Sequence, residues 1–222
     1  MNTYVGNENI DQTKSHVVGI GLRNYDFQMR SGWLVRLSGN YYDSQIVSSI
    51  VFDENRKRTT TYENIADAYS AELFGNFNKS YKFDEHTIRY GVSLRTGYGL
   101  SKGFTNQELY TTENFTFAPR IYANWDFGEV LTISPSYAMS YNNSKFTNYR
   151  LQKTDYVKHS FNLQTTTYWP KNVTWGNDFG YTYNTNIADG FKKDFFLWNT
   201  SIGYTFLGDA LTAKVKVYDI LN

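Results

Sequence analysis

The sequence predicts an all-β protein: an antiparallel, up-and-down transmembrane β-barrel of about ten long strands joined in a meander. Three observations support this fold class. Apolar and polar residues alternate over long stretches, and the chain reverses only about every twenty residues. Aromatic residues are abundant (20 Tyr, 16 Phe and 5 Trp), although the mean hydropathy is −0.55. A polar chain that is rich in aromatic residues is typical of a barrel with aromatic girdles and a wet interior.

The longest alternation predicts a hairpin at 115–141. Every second residue from Phe115 to Phe127 is apolar or aromatic, and the pattern restarts after Gly128 and continues from Leu131 to Tyr141. Each arm would span roughly 35–40 Å at about 3.3 Å per residue. Strands of soluble proteins usually contain about 5–6 residues, whereas a transmembrane strand needs about 9–11. Both arms are therefore long enough to cross a membrane.

The remaining elements follow the same alternation. Residues 1–14 are polar and are predicted to be irregular. The ten strands are predicted at 18–22, 33–41 with an extension to 52, 69–77, 88–100, 115–127, 131–141, 157–169, 173–183, 196–206 and 211–217. Short turns are predicted near Gly32, Asp84, Gly128, Lys171 and Gly208-Asp209, and longer polar loops at 53–58, 102–108, 143–155 and 186–193. Short turns at one end and longer loops at the other are typical of transmembrane barrels.

Two prolines conflict with the strand pattern. Pro119 and Pro135 lie inside the predicted hairpin, where each would forfeit a ladder hydrogen bond. We expect a local bulge or a locally unpaired register at each.

Length and composition exclude several classes of protein. The 222 residues fit a single domain spanning 1–222, and no run of about 18 apolar residues could form a helical membrane span. A net charge of +1 gives no electrostatic basis for binding nucleic acid, and the absence of cysteine excludes disulfides. Residues 1–8 lack the basic and apolar regions of a secretory signal. We therefore expect that a signal has been removed or that the chain is a piece of a longer protein.

Charged side chains are predicted on the face opposite the apolar residues, where a wide barrel holds water. These lumen-facing candidates are Arg36, Glu72, Arg89, Arg95, Arg120, Asp126, Lys158, Lys214 and Lys216. A soluble β-sandwich also alternates, but its turns come about every 8–12 residues. For the basic members of the set, hydrogen bonding to a plug or to neighbouring strands is favoured over guiding an anionic substrate.

Two short stretches resemble a known family. The residues at 211–222, Leu-Thr-Ala-Lys-Val-Lys-Val-Tyr-Asp-Ile-Leu-Asn, resemble a late strand of the TonB-dependent-receptor-like outer membrane protein β-barrel family. The stretch Phe-Ala-Pro-Arg-Ile at 117–121 is similar to that family's Pro-Arg strand. The resemblance implies a barrel of about 22 strands with an N-terminal plug. It implies nutrient uptake across the outer membrane of a Gram-negative bacterium, driven by an inner-membrane energy-coupling complex.

The chain departs from that family in its extent. It has no recognisable plug or energy-coupling segment, and it ends on Asn222, before an aromatic-terminated last strand. The resemblance therefore implies the barrel part of a receptor, roughly half a barrel. Its partners would be outer-membrane lipid, the missing plug and the remaining strands. The alternatives are a complete ten-stranded outer-membrane barrel, similar to a surface protease, a lipase or a porin, and a soluble carbohydrate-binding β-domain.

No enzymatic chemistry is predicted. The only histidines, His16, His86 and His159, are far apart in the sequence and are predicted at strand ends. No His-x-x-x-His motif or carboxylate cluster accompanies them, so neither a metal site nor a cofactor is expected.

Overall fold

A computed structural model of the chain describes residues 2–208 and 210–221, so Asp209 of the predicted last turn and Asn222 lie outside it. These residues form strands and connections without any helix suited to spanning a membrane. The twelve strands are β1 (Asn2–Tyr4), β2 (Lys14–Asp26), β3 (Ser31–Phe52), β4 (Arg58–Ile65), β5 (Ala68–Phe83), β6 (His86–Thr105), β7 (Glu108–Phe127), β8 (Leu131–Thr147), β9 (Lys153–Thr167), β10 (Val173–Asn184), β11 (Asp194–Phe206) and β12 (Leu211–Val217).

The strands form one sheet that is antiparallel apart from two short parallel pairings. From β5 to β12 each strand pairs with the next along the chain, and β2 pairs with β3. The predicted all-β fold is confirmed, and the strands follow a meander from β5 to β12. The sheet is open, because the outer edges of β2 and β12 have no ladder partner among the described residues. Closure into a barrel is therefore not a feature of this sheet.

The strand count exceeds the predicted ten for two reasons. First, the segment predicted to be irregular contains β1, which pairs in parallel with the beginning of β4. Second, an additional strand, β4, precedes the return strand predicted at 69–77, and that return strand is β5, on the opposite side of β3 from β4. Ser49 of β3 pairs with Thr61 of β4 on one side and with Phe104 of β6 on the other. Since β5 lies between β6 and the first half of β3, the chain changes sides of β3 at residues 66–67.

Polar contacts hold this crossing in place. Asp67 has a left-handed backbone (φ 60°), which Asp tolerates better than most residues. Its N–H donates to the carbonyl of Tyr42 over 3.0 Å, and its carboxylate accepts from the Tyr41 hydroxyl over 2.7 Å. The Lys102 ammonium donates to the Ala66 carbonyl over 2.7 Å and lies 3.8 Å from the Asp67 carboxylate. The crossing is therefore a defined structural element and not an irregular break in a strand.

The predicted hairpin is confirmed as β7 and β8, and its prolines interrupt the ladder without changing its register. Phe117 pairs with Tyr141 and Phe127 with Leu131, but the pairs that would include Pro119 and Pro135 are missing. Pro119 still pairs with β6 on its other side, and Pro135 still pairs with β9. Proline has no N–H, so each gap arises from the loss of a hydrogen-bond donor. The register is the same on both sides of each gap, so neither gap is a bulge.

The predicted asymmetry between short turns and long loops is weaker than expected. Much of the stretches 102–108 and 143–155 is strand, so the connections there shrink to 106–107 and 148–152. The parts of these stretches that form strands include Thr105, Thr147 and Thr154, and threonine favours strands. The one long connection at this end is 185–193, between β10 and β11.

Candidate functional site

One face of the sheet is mainly apolar from β3 to β11. Residues that pair directly across neighbouring strands lie on the same face, so the register defines rows across the sheet. One such row consists of Trp33, Phe77, Val92, Ile121, Tyr137, Phe161, Tyr181 and Phe196. The rows on either side of it on this face are also rich in apolar and aromatic residues. We call this surface the apolar face.

No layer covers the apolar face among the described residues. Ile121, in the middle of the sheet, is 54% exposed, and Phe161 is 42% exposed. Within residues 2–208 and 210–221, the buried hydrophobic residues are Ile65 and Ala68, which flank the strand crossing. A soluble domain of this length buries a continuous core. This sheet has no such core, because most of its apolar residues lie on one uncovered face.

Aromatic side chains cluster at both ends of the apolar face. At the end with the β7–β8 turn, His86 stacks on Phe127 (ring centroids 4.8 Å apart) and accepts a hydrogen bond from the Trp125 indole N–H over 3.1 Å. At the opposite end, the rings of Tyr69 and Tyr98 lie 6.3 Å apart, in adjacent strands. Aromatic residues at two levels are typical of the two interfaces of a membrane, although aromatic residues such as Phe77, Tyr137 and Phe161 also lie between the two ends of this face.

The opposite face, which we call the polar face, carries all nine of the charged residues predicted there. Each pairs with residues of that face, for example Arg36 with Phe74, Arg95 with Ala118, and Lys216 with Ser201. The register adds Arg23 and Asp178, which had not been singled out from the sequence. The structure therefore places the nine residues on one surface, but they lie in several groups rather than one.

Two groups on the polar face are ion pairs. The Arg89 guanidinium donates to the Asp126 carboxylate over 2.8 Å and to the Asn124 side-chain oxygen over 2.7 Å. Asp126 also accepts from the Thr132 hydroxyl over 2.8 Å. Arg95 lies 3.6 Å from the Glu72 carboxylate, a looser contact between more exposed groups.

The Arg89–Asp126 group predicts a graded response to substitution. We expect Asp126→Ala to lower the free energy of unfolding by about 1–2 kcal/mol, because Arg89 and Thr132 both lose an acceptor. Asp126→Asn keeps an oxygen acceptor, so we expect it to lose less than half as much. Denaturant titrations of both variants would check the order, and equal losses would show that the charge matters rather than the acceptor geometry.

A depression on the polar face brings three of the nine residues together. Arg95, Arg120 and Lys158 line a cavity of about 370 Å³. Its floor consists mainly of small side chains, which are Ser93, Ala118, Ala138, Ser140 and Ser160. We call it the cationic depression. The sequence showed these residues on one face, but the small floor became apparent only once the register was known.

A groove without cationic side chains adjoins the cationic depression on the side of the strand crossing. It has a volume of about 470 Å³, and its lining is mostly uncharged, with Glu72 as the one charged residue among the described residues that line it. The polar face therefore changes from mostly uncharged near the crossing to basic nearer the middle of β6 and β7.

The histidines are dispersed. His16 lies 2.7 Å from the Asp43 carboxylate, and His159 lies 2.7 Å from the Tyr137 hydroxyl. His159 is inside β9 and not at a strand end as predicted, because β9 begins six residues earlier, at Lys153. In the part of the chain that the structure describes, no three His, Cys, Asp or Glu side chains are grouped closely enough to hold a metal ion.

One connection carries a charged pair whose pKa values are shifted. In the loop between β10 and β11, the Lys193 ammonium donates to the Asp189 carboxylate over 2.9 Å. This hydrogen bond lowers the pKa of Asp189 and raises the pKa of Lys193. The pair is therefore present at neutral pH and is lost as the pH falls through the lowered pKa of Asp189. The pair links two positions within the loop. Because Asp189 is almost fully exposed, the pair contributes little to the stability of the sheet.

No protein-family model matches this chain. No curated protein sequence is significantly similar to it. Function is therefore inferred from the two faces of the sheet.

Proposed function

We propose that this chain forms part of the wall of an outer-membrane β-barrel, with its apolar face toward lipid and its polar face toward a water-filled lumen. The observation that carries the proposal is the uncovered apolar face of a single-layer sheet. Burying apolar surface contributes about 25 cal/mol per Å², so leaving rows of Val, Ile, Phe and Trp in water would be strongly unfavourable. Lipid covers such a face without requiring a second protein layer.

The height of the apolar face supports lipid as the covering phase. Phe115 and Phe127 mark its two aromatic ends on β7. The twelve-residue interval corresponds to roughly 40 Å along the strand. With the strand tilt of about 35–45° usual in barrels, the vertical height is roughly 30 Å, close to the thickness of a bilayer's hydrocarbon core.

Within this class we propose a receptor or transporter of the TonB-dependent type, taking up a nutrient across a Gram-negative outer membrane. The residues at 211–222 and the Pro119-Arg120 strand support the assignment through their resemblance to that family. The open edges at β2 and β12 would pair with the remaining strands of the barrel. A plug would fill the lumen, and an inner-membrane complex would supply energy. The proposed role is transport rather than catalysis.

Single-cysteine labelling tests the orientation of the two faces. The chain has no cysteine, so each introduced thiol is the only one in these strands. Ser160 and Phe161 are neighbours on β9 but lie on opposite faces, as do Ser93 and Val92 on β6. In isolated outer membranes, we expect a membrane-impermeant maleimide to label Ser160→Cys and Ser93→Cys. Phe161→Cys and Val92→Cys should stay unlabelled until the protein is denatured.

The two variants of each pair differ only in which of two adjacent residues carries the thiol. A difference in labelling within a pair therefore reports the face of the sheet and not the level of folding or expression. Equal labelling of all four variants before denaturation would contradict the lipid-facing assignment. Recovery of the protein in the soluble fraction would contradict the membrane proposal altogether.

A further inference from the structure

The cationic depression has more positive charge than its surroundings neutralise. Of its three cations, only Arg95 has a carboxylate within ion-pair distance among the described residues, and that contact to Glu72 is 3.6 Å long. Arg120 lies over the ring of Tyr122 (5.7 Å to the centroid) and Lys158 has no acidic neighbour within that range. Seven of the nine predicted lumen-facing residues are cationic, so the rest of the face does not offset this charge.

The shape of the depression matches its charge. Arg120 and Lys158 stand on β7 and β9, on either side of β8, which contributes only Ala138, Met139 and Ser140 to the lining. Arg95 closes the third side from β6. Three long cationic side chains therefore surround a floor of small residues. The guanidinium groups of Arg95 and Arg120 can each bind two oxygen atoms of an anion through parallel hydrogen bonds, and the Lys158 ammonium adds a positive charge.

We propose that the cationic depression binds a small oxyanionic group, a phosphate, sulfate or carboxylate carried by a small molecule in the lumen. The proposal rests on the lumenal orientation of the polar face and adds to it the charge class of the ligand. A doubly charged group such as phosphate suits three cations better than a single side-chain carboxylate of another protein segment does. The hydroxyl groups of Ser93, Ser140 and Ser160 in the lining can donate to the same oxygen atoms.

The test uses pyrophosphate as the probe and the purified, detergent-solubilised protein, with binding measured by isothermal titration calorimetry at about 0.1 M ionic strength. We expect saturable binding that Arg120→Gln and Lys158→Gln each weaken about tenfold or more, because each removes a charge-assisted hydrogen bond. The matched control is Lys214→Gln, which removes the same charge from the polar face of β12, three strands away from Lys158. We expect the control to change the affinity less than about twofold, because the charge it removes lies beyond a Debye length.

Three results would overturn the proposal. They are the absence of saturable binding, equal weakening by Lys158→Gln and Lys214→Gln, and displacement of pyrophosphate by polyglutamate at a lower carboxylate concentration than by acetate. The second would indicate diffuse attraction, and the third would assign the depression to an acidic protein segment. Circular dichroism of each variant confirms that the sheet is intact. The cysteine labelling of Phe161 and Ser160 reports on membrane orientation independently, so the two proposals can fail separately.

Discussion

Replacing Leu163 with arginine is expected to lower the free energy of unfolding in lipid by about 2–4 kcal/mol, the amount typical of Arg on the lipid face at mid-membrane. Leu163 lies on the apolar face of β9, between Pro135 of β8 and Phe179 of β10. Its row is next to that of Ile121, near the middle of the apolar band. An arginine there would have to reach an interface or draw water into the hydrocarbon.

The matched control is Leu197→Arg. Leu197 pairs with Gly180 and lies on the polar face of β11, in a row adjacent to that of Leu163. The same substitution there places the guanidinium in the proposed lumen, and we expect a change below about 1 kcal/mol. Denaturant titrations in lipid vesicles would measure both variants. A larger loss for Leu197→Arg than for Leu163→Arg would reverse the assignment of the two faces.

The second large effect is expected at the strand crossing. We expect Lys102→Met to lower the free energy of unfolding by about 1.5–3 kcal/mol, because the Ala66 carbonyl loses a charged donor and Asp67 loses its cation. The Lys102 side chain is only 17% exposed, so water replaces it poorly. The methionine keeps much of the apolar length of the side chain, and the change therefore isolates the ammonium group.

Lys153→Met is the control for Lys102→Met. Lys153 lies 3.7 Å from Asp155, but both side chains are about half exposed. Exposed ion pairs of this kind contribute about 0–1 kcal/mol, so little change is expected. Hydrogen exchange should show faster exchange of the Asp67 amide, which bonds to Tyr42 across the crossing, in Lys102→Met alone. Unaltered protection there would mean that the crossing is held by packing and not by Lys102.

The faces of the sheet could be predicted from the sequence, whereas the crossing could not. Alternation with period 2 determines which residues share a face, and it identified the nine polar-face charges and the β7–β8 hairpin. The change of sides at 66–67 leaves the alternation of the flanking strands intact. It depends on contacts of Asp67 with Tyr41 and Lys102, which are distant in sequence. The local alternation of apolar and polar residues does not indicate contacts between residues that are distant in the sequence.

The extent of the strands was underestimated for a related reason. Polarity was taken to indicate loops at 102–108 and 143–155, but threonine, a polar residue that favours strands, occurs in both stretches where they form strand. The cationic depression was also beyond sequence reasoning. Arg95, Arg120 and Lys158 are separated by 25 and 38 residues along the chain, and only the register shows that small residues lie between them.

The proline gaps weaken the sheet along the line between β7 and β8, which we call the crease. The ladders on either side, β6–β7 and β8–β9, run without interruption, while β7 and β8 lack the bonds that Pro119 and Pro135 cannot donate. Curvature would therefore change most readily along this hairpin. The cationic depression lies over the gap at Pro119, with Arg120 on one side of the crease and Lys158 on the other. An oxyanion bound by both side chains would link the strands on either side of the crease and would limit changes in the local curvature of the sheet.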